Sequence, residues 1–450
     1  MIKKNIFTFS LLATVTLFGA ACTANKHNGM DSAEVNVSKP KNIIMVVADG
    51  MGPAYTTAYR LYKDDPNTPM IELTALDAFL IGTAQTYPAS VSGYVTDSAA
   101  SATALAAGIK TYNGAIGLDV DKQSVESVLQ RAKKLGKRTG VAVTSQIVHA
   151  TPAAYVAHNE SRRNYNEIAD SFLDDRINDK NVVDVMLGGG WSYFIRDDRN
   201  LVEEFKTLGY QYAASYTDLL SLPKGKPTLG LFADVGLPKA LDDVNPHRLS
   251  VLTESAISHL ENVNGYFLLV EASQVDWAGH ANDIASAMGE MEDLEQTIKM
   301  LKSYVDQHPD TLVVLTADHS TGGLTIGADG DYRWSPEFIQ NMKASVTVMS
   351  EKIIDSEDMT LYVEDVFGFA LNEDEKNIIS GISSSMSGRE RESILKSLLD
   401  KRTNTGWTTS GHTGVDVEVY AFGAGAQAFA GNLNNIDIAK KIFAFLGDAE

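Results

Sequence analysis

Ser98 stands in Thr96-Asp97-Ser98-Ala99-Ala100-Ser101, directly after an aspartate and at the start of an Ala-rich run that reads as a helix. A helix N-terminus offers unpaired backbone N–H groups and partial positive charge, so it favours a bound phosphate and a serine alkoxide. The same residues also read as ordinary N-capping, and alone they decide nothing. Four further groups carry metal-ligand side chains. Asp49 closes an apolar run before Gly50-Met51-Gly52. Glu271 closes another and is followed by Asp276 and His280, four apart and so on one face if that turn is helical. Asp318 and His319 end a third run, and His412 in SGHTG shortly precedes a fourth. An aspartate after a strand is commonly a turn residue, and a lone histidine is commonly structural. Together they resist that account, because carboxylates and imidazoles converging on one sheet edge need cations to make burial tolerable. Mixed His/Asp groups suit zinc, and an oxygen-only group suits magnesium. Two zinc ions about 4 Å apart would clamp the attacking and leaving oxygens of a phosphoryl transfer.

Such a cluster needs a framework that delivers it. Apolar runs at Asn42–Asp49, Thr139–Thr144, Val182–Leu187, Tyr266–Glu271, Thr311–Ala317 and Val417–Phe422 read as strands, and their near-continuous apolar character suits a parallel sheet buried on both faces. Helical patterns lie between them, including Ser124–Leu135. In Ala287–Leu301, the residues Ala287, Met291, Leu294, Ile298 and Leu301 form one apolar stripe. Alternating strands and helices predict an α/β fold, an α/β/α sandwich around a large, mostly parallel sheet, with functional residues beyond the carboxyl ends of the strands. Residues 326–405 break the rhythm, with the acidic run Asn372–Lys376 and the Ser-rich Ser380–Ser387, and read as an inserted subdomain whose ends lie close together. The catalytic domain is then 42–325 resumed at 406–450. Gly423-Ala424-Gly425 is not a dinucleotide fingerprint: Ala428 holds the third glycine position and no βαβ unit follows.

With 58 acidic against 38 basic residues, the formal charge is -20, which argues against a nucleic-acid partner and against an anionic membrane surface. An anionic substrate therefore needs local positive charge from metals or a placed arginine. Lys3 and Lys4 precede an apolar run to Ala21, which reads as a signal peptide over 1–22, with a flexible leader at 23–41. Cys22, the only cysteine, follows Gly19-Ala20-Ala21, so a lipid anchor competes with simple cleavage, and no intrachain disulfide can form. A periplasmic or secreted enzyme without a transmembrane span is expected.

The segments VADGMG, YVTDSAASATA with KTYNGAIG, HATPAAYVAHNESR, EASQVDWAGH, TADHSTGG and SGHTG, in this order, resemble the bacterial alkaline phosphatases over almost the whole mature chain. The resemblance implies a broad-specificity phosphomonoesterase with a crown-like insert over the active-site mouth, two Zn2+ and one Mg2+, and a homodimer. It makes Ser98 the nucleophile, after Asp97. It gives Asp276, His280 and His412 to one zinc, Asp49, Asp318 and His319 to the other, and Asp49, Thr151 and Glu271 to magnesium. Arg162 matches the arginine that grips two phosphate oxygens, while Arg163 is a solvated charge. His149 stands where the enterobacterial pattern has aspartate, and Trp277 where it has lysine; both resemble marine and cold-adapted members. A neutral imidazole cannot act as an anionic support of the third metal, which should bind differently and is either magnesium or zinc, and loss of the lysine should ease phosphate release. A phosphodiesterase or nucleotide pyrophosphatase of the same superfamily is the alternative, but such enzymes usually have a threonine nucleophile and lack equivalents of Glu271 and Arg162. A sulfatase lacks support because no Cys/Ser-x-Pro-x-Arg site occurs. A non-catalytic phosphate-binding or adhesion protein on the same fold would not need the complete ligand set.

Overall fold

The computed structural model describes residues 39–448; the signal peptide, Cys22 and most of the leader lie outside the described residues. Ten strands make the main sheet: β1 (Asn42–Val47), β2 (Leu80–Gln85), β3 (Arg138–Gln146), β4 (Val185–Gly189), β5 (Gln211–Ala213), β6 (Thr228–Leu231), β7 (Tyr266–Glu271), β8 (Thr311–Thr316), β9 (Val417–Gly423) and β10 (Gly431–Asn434). Their spatial order is β10-β2-β9-β8-β1-β7-β3-β4-β6-β5. β1 and β7 are buried along their whole length, as the apolar sequences NIIMVV and YFLLVE require of central strands covered on both faces.

All neighbours run parallel except β9, which is antiparallel to both β8 and β2. The six expected strands exist, with ends displaced by up to three residues. The four unforeseen ones are β2, β5, β6 and β10, which are short or carry polar residues and pair towards the two margins of the sheet. The reversed β9 has a specific effect. Its N-terminal end lies at the edge where the parallel strands end, so a residue just before it joins residues that follow the others.

Five helices carry or support the chemistry: α1 (Pro53–Lys63), α2 (Ser98–Ala107), α3 (Ala150–Val156), α4 (Gln274–Ala281) and α5 (Ile284–Gln307). α2 is buried from Ser98 to Ala106, and its alanines let it pack closely on α3. The expected stripe of α5, Ala287 to Leu301, is buried. The helix expected over Ser124–Leu135 is shorter, Val128–Lys134. Ser124 and Val125 are instead drawn into pairing with Leu118 and Gly117, and Ser127 caps the helix in a box with Gln130.

Residues 326–405 hold helices Val346–Lys352, Met359–Phe367, Glu373–Ser380 and Gly388–Thr403. The acidic run becomes a helix start capped by Asn372, and the Ser-rich stretch ends at the Ser387 cap of the last of these helices. The segment's two ends meet as an antiparallel pair, Leu324 opposite Trp407 and Ile326 opposite Thr405. Trp407 also donates its indole N–H to Asp400 (3.1 Å).

Candidate active site

The carboxyl edge of the sheet gathers the sequence-predicted residues. Asp49 follows β1, Glu271 ends β7, Asp318 and His319 follow β8, and His149 follows β3 and precedes α3, which carries Thr151. His412 reaches the same edge from the far side of β9. Asp276 and His280 lie on α4, one turn apart, as their spacing predicts. Gly50, at φ +77°, turns the chain after β1. A side chain there would place Cβ 2.5 Å from Cα of Asp276, so glycine is what lets α4 approach.

Asp97 is the N-cap of α2, accepting from the Ala100 N–H (3.0 Å), so the capping reading of this segment holds. Ser98 is the first helical residue, with Oγ 3.2 Å from Nε2 of His319.

The three imidazoles share one orientation. Nδ1 of His280 faces the Ser410 carbonyl (2.6 Å) and Nδ1 of His412 faces the Thr96 carbonyl (2.9 Å), which assigns the hydrogen to Nδ1 in both. Their Nε2 atoms then point lone pairs at one another across 3.1 Å, with Asp276 oxygens at 3.4 and 3.7 Å. Two acceptor nitrogens and a carboxylate at such distances repel unless a cation lies among them. Thr321 donates to Asp276 (2.5 Å), so its oxygen can accept from Nδ1 of His319 (3.2 Å). That turns Nε2 of His319 toward Ser98, Asp49 (3.6 Å) and Asp318 (3.1 Å).

The donor set fits metal ions on a second ground. Both carboxylate oxygens of Asp49, Oε1 of Glu271, Oγ1 of Thr151 and Nδ1 of His149 are buried with no hydrogen-bond partner. Buried orphans of this kind are costly, and native proteins hold few of them. Among the described residues, Asp276, His319 and His412 form one group able to hold an ion, Asp49, Asp318 and His319 a second, and Asp49, His149 and Glu271 a third. Burial, with Asp318, Asp276 and Glu271 nearby, pushes the Asp49 carboxyl well up from its ordinary value. Burial opposes ionisation of Asp318 too, but His319 beside it and the Gly50 N–H hold it low. His319 is raised because Asp318 outweighs its burial, whereas burial and His319 bring His412 down to about 4. The charge of this cluster is thus unbalanced on the protein side alone.

Arg162 donates to Asp97 (3.2 Å) through Nη1 and reaches His149 Nε2 (3.1 Å) through Nη2. Because a guanidinium only donates, Nε2 of His149 must accept, and the ring hydrogen sits on Nδ1, 3.9 Å from Oε1 of Glu271. His149 therefore turns an N–H, not a lone pair, toward the third group. Trp277 is half-buried and meets His149 edge to face at 6.0 Å. Arg163 is exposed.

Several supporting residues escaped the sequence reading. Ser145 donates to Glu271 (3.0 Å) and receives from Ser273, while Asn113 accepts from the Asp97 N–H (3.1 Å) and donates to the Val95 carbonyl. Serines, threonines and asparagines are too common for composition to single them out. Ser273, Asn113 and Thr321 lay within motifs already noticed, EASQVDWAGH, KTYNGAIG and TADHSTGG, but as residues without a role there.

The sheet topology and this cluster define a hydrolase with its machinery at a carboxyl edge, and the comparisons agree. The alkaline phosphatase family profile matches residues 40–447, and the chain belongs to that family: it is a phosphomonoesterase. It is 44% identical to alkaline phosphatase 3 of Bacillus subtilis over 449 residues, covering 98% of this chain and 97% of that protein. A crystal structure of the cold-active alkaline phosphatase from a psychrophilic Shewanella matches with TM-score 0.85 and 47% identity, over 90% of this chain and all of that one. A variant of TAB5 alkaline phosphatase with magnesium bound in its M3 site matches with TM-score 0.67 and 26% identity, over 91% of this chain and 99% of that one. The family is metal-dependent.

Proposed function

We propose that the chain hydrolyses phosphate monoesters of broad specificity in two displacements through Ser98. The serine oxygen attacks phosphorus and the ester oxygen leaves, giving a phosphoseryl enzyme. Water then attacks the same phosphorus, Ser98 departs and inorganic phosphate is released, with net retention. The N–H groups that open α2 favour the alkoxide of Ser98. Arg162, held by Asp97 and His149, presents a planar fork suited to two phosphoryl oxygens.

Asp276, His280 and His412 would hold one zinc and Asp49, Asp318 and His319 the other, with Asp49, Thr151 and Glu271 holding magnesium. When bound, these ions would lower the proton affinity of the attacking oxygens and stabilise the leaving oxygen and the charge on the phosphoryl group. Magnesium in the third group is supported by its oxygen donors, the unpartnered buried oxygens of Asp49, Thr151 and Glu271.

Residues 326–405 serve as a crown-like subdomain over the mouth, and the enzyme is exported, either cleaved near Ala21 or lipid-anchored at Cys22. Among the described residues no helix is long and apolar enough to cross a membrane. A second copy covers Val91, Tyr94, Val95 and Val415, all exposed around the segments that lead to Ser98 and follow His412. No nucleic-acid partner is expected.

The observation that carries the reading is the convergence of Ser98 with three imidazoles whose Nε2 atoms face inward among unpartnered carboxylate oxygens. The test is hydrolysis of a chromogenic monoester at alkaline pH after chelation and after adding zinc and magnesium, with Ser98→Ala in parallel. Activity should vanish with chelator, return with metals and be nearly abolished by the substitution. Negligible monoester turnover by the metal-restored protein, with diesters cleaved instead, would refute the reading.

A further inference from the structure

The loop that leaves β6 passes directly behind Trp277. A Cβ added at Gly236 would lie 2.3 Å from both Cη2 and Cζ3 of the indole, so the benzo ring rests on bare backbone. That backbone has no room to retreat. On its other side Gly189 lacks a Cβ for the same reason: one there would meet the Val235 carbonyl at 1.8 Å and Gly236 Cα at 3.2 Å. The next residue is tied down twice, since the Leu237 N–H donates to the Thr144 carbonyl (2.9 Å) and the Leu237 carbonyl accepts from Gln274 (2.6 Å). Gln274 belongs to α4, the helix that carries Trp277, so loop and indole are fixed to one another.

From this wall the indole edge reaches His149, and His149 in turn accepts from Arg162. The imidazole is buried, and it has no hydrogen-bond partner at Nδ1, so packing against Trp277 and the Arg162 bond fix its tilt.

We infer that Gly236 and Trp277 are positioning residues for Arg162: the missing Cβ at Gly236 seats the indole where it holds His149 as the acceptor that aims the guanidinium at phosphate. The inference rests on the reading of Arg162 as the phosphate-gripping residue. Gly236 is not in the left-handed region, so alanine is permitted by the backbone and Gly236→Ala changes only the space behind the ring. Loss or misdirection of one charge-assisted hydrogen bond corresponds to roughly a 10-fold change in affinity.

The experiment is a double-mutant cycle read by calorimetric binding of inorganic phosphate to the zinc- and magnesium-loaded protein, with near-ultraviolet circular dichroism reporting the indole. Gly236→Ala should weaken phosphate binding roughly 10-fold and alter the indole signal. In a Trp277→Phe background, where Cη2 and Cζ3 of the indole are gone, the same change should cost less than about 2-fold. Unchanged affinity in Gly236→Ala, or equal weakening in both backgrounds, overturns the inference. If Gly236→Ala does not fold, a second cycle decides: Trp277→Leu should weaken phosphate binding in the parent but not in Arg162→Ala, and equal weakening in both overturns it. Absence of monoester turnover by the parent would strike the functional reading; intact turnover with uncoupled cycles strikes this inference alone.

Discussion

The effect of Thr151→Val on stability should depend on the metal content of the protein. Thr151 is wholly buried on α3, and its hydroxyl has no hydrogen-bond partner among protein groups. Valine keeps the branched shape and removes the orphan oxygen. A hydroxyl buried without a partner costs about 1–3 kcal/mol in protein mutational data. In chelated protein the substitution should therefore stabilise by about that much. For a folded unit of about 410 residues, the unfolding entropy near the midpoint is roughly 0.9 kcal/mol/K, so the melting temperature should rise by about 1–3 °C. With zinc and magnesium added, the same change deletes a candidate ligand. A loss of roughly 10- to 100-fold in affinity for one ion corresponds to about 1.4–2.7 kcal/mol of stabilisation withdrawn at saturating metal. Set against the gain in chelated protein, this should shrink the advantage of valine by about 2–3 °C, to near zero or below. The assay is paired thermal melts of parent and variant, with chelator and with both metals. A shift of the same sign and size in both conditions would refute the argument that this hydroxyl is held in reserve for a cation.

Trp277→Lys should bind inorganic phosphate roughly 10-fold more tightly than Trp277→Leu, because both lose the indole and only lysine adds a charge-assisted hydrogen bond near the phosphate, and turnover should fall if release becomes limiting; equal inhibition constants in the two variants would count against it. Asp400→Asn tests a half-buried carboxyl whose pKa is pushed up to about 7 by burial, against the Trp407 hydrogen bond and with Asp283 adding to the rise. Its folded pKa lies above the unfolded value, so the unfolded chain releases the proton first. Stability should fall between about pH 4 and pH 7 and stay lower above, by up to about 4 kcal/mol. The asparagine variant should escape that loss, and a stability gain equal at pH 4 and pH 8 would refute the account. Tyr94→Asp, at an exposed position of the apolar strip before Ser98, should shift a dimer toward monomer in light scattering while leaving the melting temperature within about 2 °C, since exposed substitutions rarely cost more than about 0.5 kcal/mol. An unaltered mass in a dimeric parent would place the contact elsewhere.

What was legible in the chain follows from how each element is stabilised. β1, β7 and β8 are read easily because burial on both faces leaves an apolar run between their end residues. β10, with the sequence GNLN, pairs only with β2 at the margin of the sheet, so hydrogen bonds to a neighbour define it and no hydrophobic pattern betrays it. The direction of β9 was equally hidden, since a buried strand has the same composition running either way. At the site, Asp, Glu and His stand out because burying them is expensive. Ser145, Ser273 and Asn113 do their work through hydrogen bonds of the kind that any surface serine or asparagine makes somewhere. The neighbourhood of Gly236 and Trp277 depends on the absence of an atom, a signal that only three-dimensional packing supplies.

The reversal of β9 also sets a timetable for synthesis. Ser98, Asp49, Glu271 and Asp318 all precede residue 320 in the chain, yet the imidazole that faces His280 and stacks on His319 is His412, delivered by the last tenth of the polypeptide. A nascent chain halted before that point could form β1, β3, β7 and β8, but it would present two inward-facing histidines with no partner to close the cluster. On the proposed function, the cluster cannot close before His412 has been made, and a product truncated ahead of it would carry exposed carboxylates and imidazoles without the set that the proposed chemistry needs.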